Sequence, residues 1–190
     1  MKDPGKDQLS DEKIIELVLS GGKGTRNFEF LYHRYDSKVR SKCFSLVKDQ
    51  HLARELVDDV FSKVYEKLSS FKGNSSFSTW LYSITYNCCI DYLRLKKRMH
   101  YPEWNSENEM QEIPDHIEEV ADDIDYDKLV LMMEALHPEE RALIQMKYIE
   151  ELPLKSISEA LRITESATKM RLKRARTRLL LLYSRQYLNK

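Results

Sequence analysis

Carboxylates at Glu55, Asp58 and Asp59 form the first group of side chains in this sequence that could do chemistry. Clustered carboxylates can hold a metal ion for phosphoryl transfer. Adjacent residues on a helix point in different directions, however, and no histidine supports Asp58 and Asp59 as ligands. A solvated acidic face is therefore favoured over a metal site. The other alternative is a protein-docking face that includes Phe61 and Val64.

A polar segment followed by aromatic residues is the second group. Asn74, Ser75 and Ser76 precede Phe77 and Trp80. Exposed aromatic rings stack on unpaired bases, and small polar side chains can read a base edge. The helical spacing favours Phe77 as a core anchor and leaves Trp80 open between core and ligand. By itself this pattern indicates single-stranded nucleic acid only weakly.

A pair of helices with a tight turn is the third group and the strongest local signal. The spacing predicts a short helix over 154–161, a turn at Arg162 and Ile163, an N-cap at Thr164 and a long helix from Glu165. That arrangement is typical of a helix-turn-helix. The second helix carries six cations within ten residues, which suit phosphate contacts: Lys169, Arg171, Lys173, Arg174, Arg176 and Arg178. DNA binding is favoured over a solvated basic helix.

Motifs of catalysis and cofactor binding do not occur in the sequence. We find no nucleophile triad, P-loop or dinucleotide fingerprint. The three cysteines, Cys43, Cys88 and Cys89, have no CxxC or zinc-ligand spacing and are expected to be reduced thiols of a cytosolic protein. We therefore expect a protein that is not an enzyme, with no cofactor, no metal and no small-molecule substrate.

The elements that must position these groups are predicted to be helices. Gly and Pro number only five each, and 33% of the residues are charged. Apolar residues step by three and four along the chain, which predicts helices near 11–20, 25–47, 52–68 and 77–98 and further helices after 126. Ser10 is the expected N-cap of the first helix, and Pro138 suits a first helical position. Tyr65 falls on the apolar side of the third helix. Apolar runs reach only about five residues, against ~20 for a membrane span, so no membrane insertion is expected.

The formal net charge of zero conceals three segments of different sign. Residues 1–98 hold 18 basic and 13 acidic residues, whereas residues 128–190 hold 13 basic and 7 acidic residues. Between them, residues 99–127 hold 11 acidic residues and no Lys or Arg. This pattern predicts two basic lobes joined by an acidic linker that lacks helical periodicity.

Three stretches together resemble the extracytoplasmic-function class of bacterial RNA polymerase sigma factors. Residues 28–32 through 53–61 resemble the start of sigma region two, and residues 71–81 with 87 and 91–94 resemble its promoter-melting part. Residues 136–141 through the helix-turn-helix resemble region four. The block Phe-Ser-Thr-Trp-Leu at 77–81 is the most specific of these motifs.

The resemblance implies an all-α fold with a region-two helical bundle at 1–98, the acidic linker at 99–127 and a region-four helix-turn-helix at 128–190. It implies a cytoplasmic protein without catalytic residues that lends promoter specificity to core RNA polymerase. The implied partners are core RNA polymerase, promoter DNA and an anti-sigma factor. We also hypothesise that residues 103–127 enter a positively charged polymerase channel, with a soluble tether as the alternative.

Residue roles are carried over from the resemblance position by position. The expected core-polymerase-binding residues are Glu55, Asp58, Asp59, Phe61 and Val64. The expected minus-ten residues are Lys72, Gly73, Asn74, Ser75, Ser76, Phe77, Thr79, Trp80, Arg94, Lys97 and Arg98. Within this set, the loop 72–76 would capture a flipped base, residues 77–80 would support or wedge the opening, and the basic residues 94–98 would hold nearby phosphates. The expected minus-thirty-five residues are Glu165, Ser166, Thr168, Lys169, Arg171, Lys173 and Arg174, with Lys169 and Arg171 as the principal candidates.

Some positions depart from the family pattern. Arg54 stands where an acid is common, and Arg162 and Ser158 replace a turn glycine and a small alanine. These departures keep open an inactive sigma-like interaction protein. A stand-alone helix-turn-helix regulator that binds duplex DNA without polymerase is the main alternative, although it leaves the polar loop and the acidic linker unexplained.

Overall fold

The computed structural model describes residues 9–21, 24–95 and 124–188. Within these ranges all regular structure is helical, which confirms the all-α prediction. The chain forms two compact units that divide between residues 95 and 96. Each unit is described by itself below. None of the helices in the described ranges is long and apolar enough to cross a membrane.

Over residues 9–21 and 24–95, the first unit contains four α-helices. They are α1 (Asp11–Leu19), α2 (Gly24–Val47), α3 (Gln50–Lys67) and α4 (Phe77–Leu95), with one 3-10 turn at Leu68–Ser70. Side chains cap the helix starts because the first backbone N–H groups lack partners within the helix. The Ser10 hydroxyl accepts from the Lys13 amide at 3.3 Å, as predicted, and the Asp49 carboxylate accepts from the Leu52 amide at 3.0 Å.

Apolar side chains from α2, α3 and α4 meet in the core of the first unit. Those with no exposed surface are Leu31, Val39, Cys43, Val60, Val64, Leu81 and Cys89. Helix α1 is tied to α2 through Asp11, whose carboxylate accepts from Arg34 Nη1 and from the Tyr35 hydroxyl, both at 2.6 Å. Burial of the Tyr35 phenol, helped by this hydrogen bond, raises its pKa above the usual value.

All three cysteines are buried free thiols, as expected. Cys88 lies 3.4 Å from the Lys63 ammonium, but burial outweighs that cation and raises the pKa of the Cys88 thiol. A thiol in this environment stays protonated, so it behaves as an apolar core group.

In the part that the structure describes, the second unit is also helical, and the first of its described helices is capped. Its helices are α5 (Tyr126–Met133), α6 (Pro138–Ile144), α7 (Leu154–Leu161) and α8 (Glu165–Tyr183), with single π-helical turns at Gln145–Ile149 and Ser184–Leu188. Asp125 caps α5, so the sequence-based boundary between 127 and 128 falls inside the first turn of that helix. Pro138 stands at the first position of α6, as predicted. Residues 99–123 of the predicted linker lie outside the described residues.

Candidate functional site

The polar segment before α4 is an exposed loop. Lys72, Gly73, Asn74 and Ser76 are exposed, and Gly73 adopts a left-handed backbone with φ of 69°. Such a φ favours glycine because a side chain would be strained there. The Ser76 hydroxyl accepts from the Thr79 amide at 3.2 Å and lies 2.8 Å from the Thr79 hydroxyl, so it caps α4. The loop therefore presents small polar groups on a fixed helix start.

Three aromatic rings form a cluster under this loop. The ring centroids of Phe71 and Trp80 lie 5.2 Å apart, and Phe77 lies 5.9 Å from each of them. Phe77 is only 1% exposed and also packs on Tyr35 at 5.5 Å. The helical spacing predicts this core position, and the burial leaves the Phe77 side chain no surface for a direct contact with DNA. Phe77 is a core anchor that supports Trp80. Trp80 itself is partly exposed at the surface.

The basic end of α4 is described only in part. Arg94 lies in the last turn of α4 and is partly exposed, near the negative end of the helix dipole. Lys97 and Arg98, which are predicted to share the same DNA contact, lie outside the described residues.

The carboxylates of α3 share an exposed face, whereas the apolar residues assigned with them do not. Glu55, Asp58 and Asp59 are exposed. Phe61 and Val64 are 3% and 0% exposed, and Phe61 packs on the Tyr32 ring at a centroid distance of 4.5 Å. Their predicted contact with a partner is therefore wrong, because the core of the unit already covers both side chains. No group of three metal-ligating side chains occurs in the described ranges.

Tyr65 is a surface residue of α3, although the apolar periodicity of this helix predicts it on the core side. Its side chain is 46% exposed, and one edge of the ring packs on Phe28 at a centroid distance of 5.1 Å. Tyr65 follows Asp58 by seven residues, or about two helical turns, so the two lie on the same face of α3. The heptad spacing from Asp58 is the signal that could have revealed it.

The turn between α7 and α8 has the geometry that the helix-turn-helix prediction requires. Arg162 adopts a left-handed backbone with φ of 54° and ψ of 44°. The Ile163 amide donates to the Ser158 carbonyl at 3.0 Å, and the Arg162 amide donates to the Glu159 carbonyl at 3.3 Å. These two bonds form a Schellman motif, which usually places glycine at the left-handed position. At the start of α8, the Thr164 hydroxyl accepts from the Ala167 amide at 3.1 Å, confirming the predicted cap.

Two residues of α8 assigned to DNA face the interior of the unit instead. Thr168 has no exposed surface, and its hydroxyl donates to the Thr164 carbonyl at 3.0 Å. The Arg171 guanidinium donates to the Glu139 carboxylate at 3.1 Å, and Glu139 is only 2% exposed. The prediction is wrong for Thr168 as a DNA contact. For Arg171, the ion pair with α6 makes it a poor candidate for reading bases.

A second ion pair with a buried carboxylate joins α6 to the same face of α8, about two helical turns further along. Arg178 Nη1 donates to Glu140 Oε1 at 2.8 Å, and Glu140 is 1% exposed. The other Glu140 oxygen accepts from the His137 amide at 3.3 Å, which closes the capping box of α6. Beside them, Arg141 is buried, and desolvation lowers the pKa of its guanidinium. The two ion pairs of Glu139 and Glu140 fix α8 on α6, so part of the basic character of α8 is structural.

The remaining assigned residues of α8 present an outward surface. Glu165, Ser166, Lys169 and Lys173 are exposed, and Arg174 is partly exposed. Met170 lies among them with 48% of its surface exposed. The pattern of charge along the helix does not reveal this residue. The spacing of four residues from Ser166 to Met170 is the signal that would have included it.

The two units match two family models in the same order. Residues 31–99 match Sigma-70 region 2, and residues 126–179 match Sigma-70, region 4. The ECF RNA polymerase sigma factor SigW of Bacillus subtilis (strain 168) is 30% identical over 179 residues, which cover 89% of this chain and 94% of SigW.

Solved structures with low sequence identity share the fold. The structure of CnrH in complex with the cytosolic domain of CnrY covers 90% of this chain and 96% of its own, with a TM-score of 0.56 and 20% identity. The sigma factor RpoE in complex with the anti-sigma factor NepR from Bartonella quintana covers 83% of this chain and 96% of its own, with a TM-score of 0.55 and 19% identity. At this identity the likeness concerns the fold alone.

Proposed function

Because the chain belongs to the extracytoplasmic-function (ECF) family of RNA polymerase sigma factors, we propose that it binds core RNA polymerase, recognises promoter DNA and promotes the start of transcription. The observation that carries this proposal is the pair of sigma-70 regions in their order, each on its own helical unit. At the family level sigma factors are not enzymes. The protein would act in the cytoplasm, where polymerase and promoter DNA meet.

The acidic face of α3 is the proposed docking surface for core polymerase. Glu55, Asp58 and Asp59 are exposed there, and Tyr65 adds an exposed aromatic ring to the same helix. Carboxylates make such a surface complementary to a partner surface of positive charge. Aromatic residues are frequent anchors in protein interfaces. The resemblance points to the clamp coiled coil of the large polymerase subunit as the partner. Phe61 would support this docking surface indirectly, because its packing on the rings of α2 holds α3 in place.

The loop before α4 is the proposed site of minus-ten recognition. Its exposed residues offer a cation at Lys72, a donor and acceptor pair at Asn74 and a left-handed backbone at Gly73. A base flipped out of the duplex costs a few kcal/mol, which contacts with such groups can offset. Trp80 is partly exposed beside the loop and would stack at the edge of the opened duplex. Arg94 would hold a nearby phosphate, together with Lys97 and Arg98 beyond the described residues.

The outward surface of α8 is the proposed minus-thirty-five reader. The N-terminal part of the second helix of a helix-turn-helix enters the major groove. Ser166 and Lys169 lie on that part of α8 and are exposed. Lys173 lies one turn after Lys169 and would contact a phosphate. Arg171 would position α8 through Glu139, and Thr168 would pack in the interior of the unit.

The linker and a regulatory partner complete the proposal. The channel hypothesis concerns residues 103–127, of which 103–123 lie outside the described residues. It predicts that neutralising Glu118, Glu119, Asp122 and Asp123 weakens core binding or alters early transcript release, and no change in either result would contradict it. An anti-sigma factor is proposed as a partner because RpoE of Bartonella quintana, which shares the fold, forms a complex with the anti-sigma factor NepR.

Association with core polymerase tests the docking surface directly. We expect the purified chain to co-elute with core polymerase, and the double substitution Asp58→Ala, Asp59→Ala to lower the affinity at least tenfold, a loss of about 1.4 kcal/mol. Both carboxylates are exposed, so the fold should be retained. Glu16→Ala is the matched control, since Glu16 is an exposed carboxylate on α1. Failure of the wild-type chain to co-elute would contradict the proposed function, and equal losses in both variants would contradict the assignment of the surface.

A further inference from the structure

Met170 is a large apolar side chain on the face of α8 that points away from the core of its unit. Its surface is 48% exposed, whereas Thr168, Leu172 and Ala175 are buried. At about 100° per residue, these three buried positions lie on one side of the helix, and Met170 lies within about 15° of the opposite direction. Met170 therefore marks the centre line of the outward surface of α8.

The neighbours of Met170 on this surface are polar. Ser166 lies one turn before it and Lys173 one turn after it, and both are exposed. Side chains three and four residues apart on a helix are surface neighbours, so the three form one line along α8. Lys169 is exposed beside this line. The apolar side chain of Met170 thus lies between Ser166, which is suited to a base edge, and Lys173, which is suited to a phosphate.

Water covers about half of the Met170 side chain in the free chain, and contact with an apolar group would release that water. In the proposed function this part of α8 lies in the major groove. Thymine alone among the four bases presents a methyl group there, at C5. The unbranched, polarizable methionine side chain adapts readily to such a small apolar target.

We infer that Met170 is a specificity-determining residue that contacts the C5 methyl group of one thymine in the minus-thirty-five element. The inference rests on the proposed function and refines it, because it assigns an A·T pair to one position of the element. Lys173 would strengthen binding at any sequence through a phosphate. Met170 would instead distinguish sequences through one methyl group.

Removal of the methyl group alone measures this contact. Uracil presents the same hydrogen-bonding edge as thymine but lacks the C5 methyl. Loss of one buried methyl group should lower affinity about fourfold. Met170→Ala should remove the sensitivity to that methyl group, and the exposed position together with the high helix propensity of alanine should leave α8 intact.

The experiment uses the full chain bound to core polymerase and a promoter fragment selected by that holoenzyme. Each thymine of the minus-thirty-five region, on either strand, is replaced singly by uracil, and affinities are compared at one salt concentration. We expect one position at which uracil lowers wild-type affinity about fourfold and at which Met170→Ala binds thymine and uracil equally. Lys173→Ala is the matched control, which should weaken both DNAs and retain their fourfold ratio.

Two results would overturn the inference while leaving the proposed function in place. One is a promoter-bound wild-type holoenzyme that is insensitive to uracil at every position. The other is a Met170→Ala holoenzyme that keeps the wild-type sensitivity, or that loses affinity for core polymerase instead of for thymine. A holoenzyme that selects no promoter fragment at all would overturn the proposed function, and the inference with it.

Discussion

Glu140 and Arg178 form an ion pair whose disruption should destabilise the second unit. Glu140 is 1% exposed and its Oε1 lies 2.8 Å from Arg178 Nη1, whereas the Arg178 side chain is 21% exposed. Breaking a fully buried pair costs roughly 3–5 kcal/mol, since it leaves a charge without compensation. Water can reach part of Arg178, so we expect about 2.5 kcal/mol for Glu140→Gln. Glutamine keeps the volume and an oxygen that can accept from His137.

A double-mutant cycle separates the pair from other effects of substitution. Glu140→Gln and Arg178→Met are made singly and together in the full chain. Each single change should speed the slowest amide exchange in α6 and α8 by up to roughly 60-fold, which corresponds to about 2.5 kcal/mol. The double variant should recover most of this loss, because removing both charges is often nearly neutral. Exchange in α2 and α3 of the first unit provides an internal reference.

An exposed ion pair on α1 serves as the matched control. Lys13 and Glu16 are 2.7 Å apart, but their side chains are 50% and 68% exposed. Helix pairs of this kind contribute no more than about 0.5 kcal/mol. The reasoning would be refuted if the coupling between Glu140 and Arg178 were as small as that of the control pair. Burial would then not determine the strength of the interaction.

Three further substitutions test other parts of the structure. Phe77→Ala should destabilise the first unit by about 3–5 kcal/mol, measured as faster amide exchange in α4, and a loss below about 1 kcal/mol would contradict its place in the core. Arg162→Gly should stabilise the second unit by about 0.5–1 kcal/mol in the same assay, because φ of 54° favours glycine, whereas Arg162→Ala should give no gain. Trp80→Ala should slow promoter opening, followed by permanganate reactivity of unpaired thymines, more than it weakens core binding. Trp80→Phe should retain opening in part, and equal losses of opening and core binding would argue against a stacking role.

The helices and their caps were predictable because they depend on neighbours in the sequence. Ser10 and Thr164 precede apolar periodic segments and cap their helices through side-chain oxygens, as predicted. Pro138 begins α6 because proline needs no N–H partner there. The left-handed backbone at Arg162 also follows from its place in a tight turn, although glycine would suit it better.

The contact partners of individual side chains were less predictable because they depend on residues far along the chain. Arg171 pairs with Glu139 across 32 residues, a contact that no local pattern of charge reveals. The charge pattern along α8 therefore predicts that Arg171 and Arg178 are exposed to solvent, whereas both form ion pairs with carboxylates of α6. Likewise, Phe61 is predicted at a docking surface although the rings of α2 cover it, and Tyr65 is predicted in the core although nearly half of that ring is exposed.

Run-off transcription tests most directly whether the chain is a working sigma factor. Purified core polymerase is incubated with fragmented genomic DNA of the source bacterium, with and without the full chain, and the 5′ ends of the transcripts are sequenced. We predict a set of start sites that depends on the chain and shares two upstream elements, at minus ten and minus thirty-five. Identical start sites with and without the chain would contradict the proposed function.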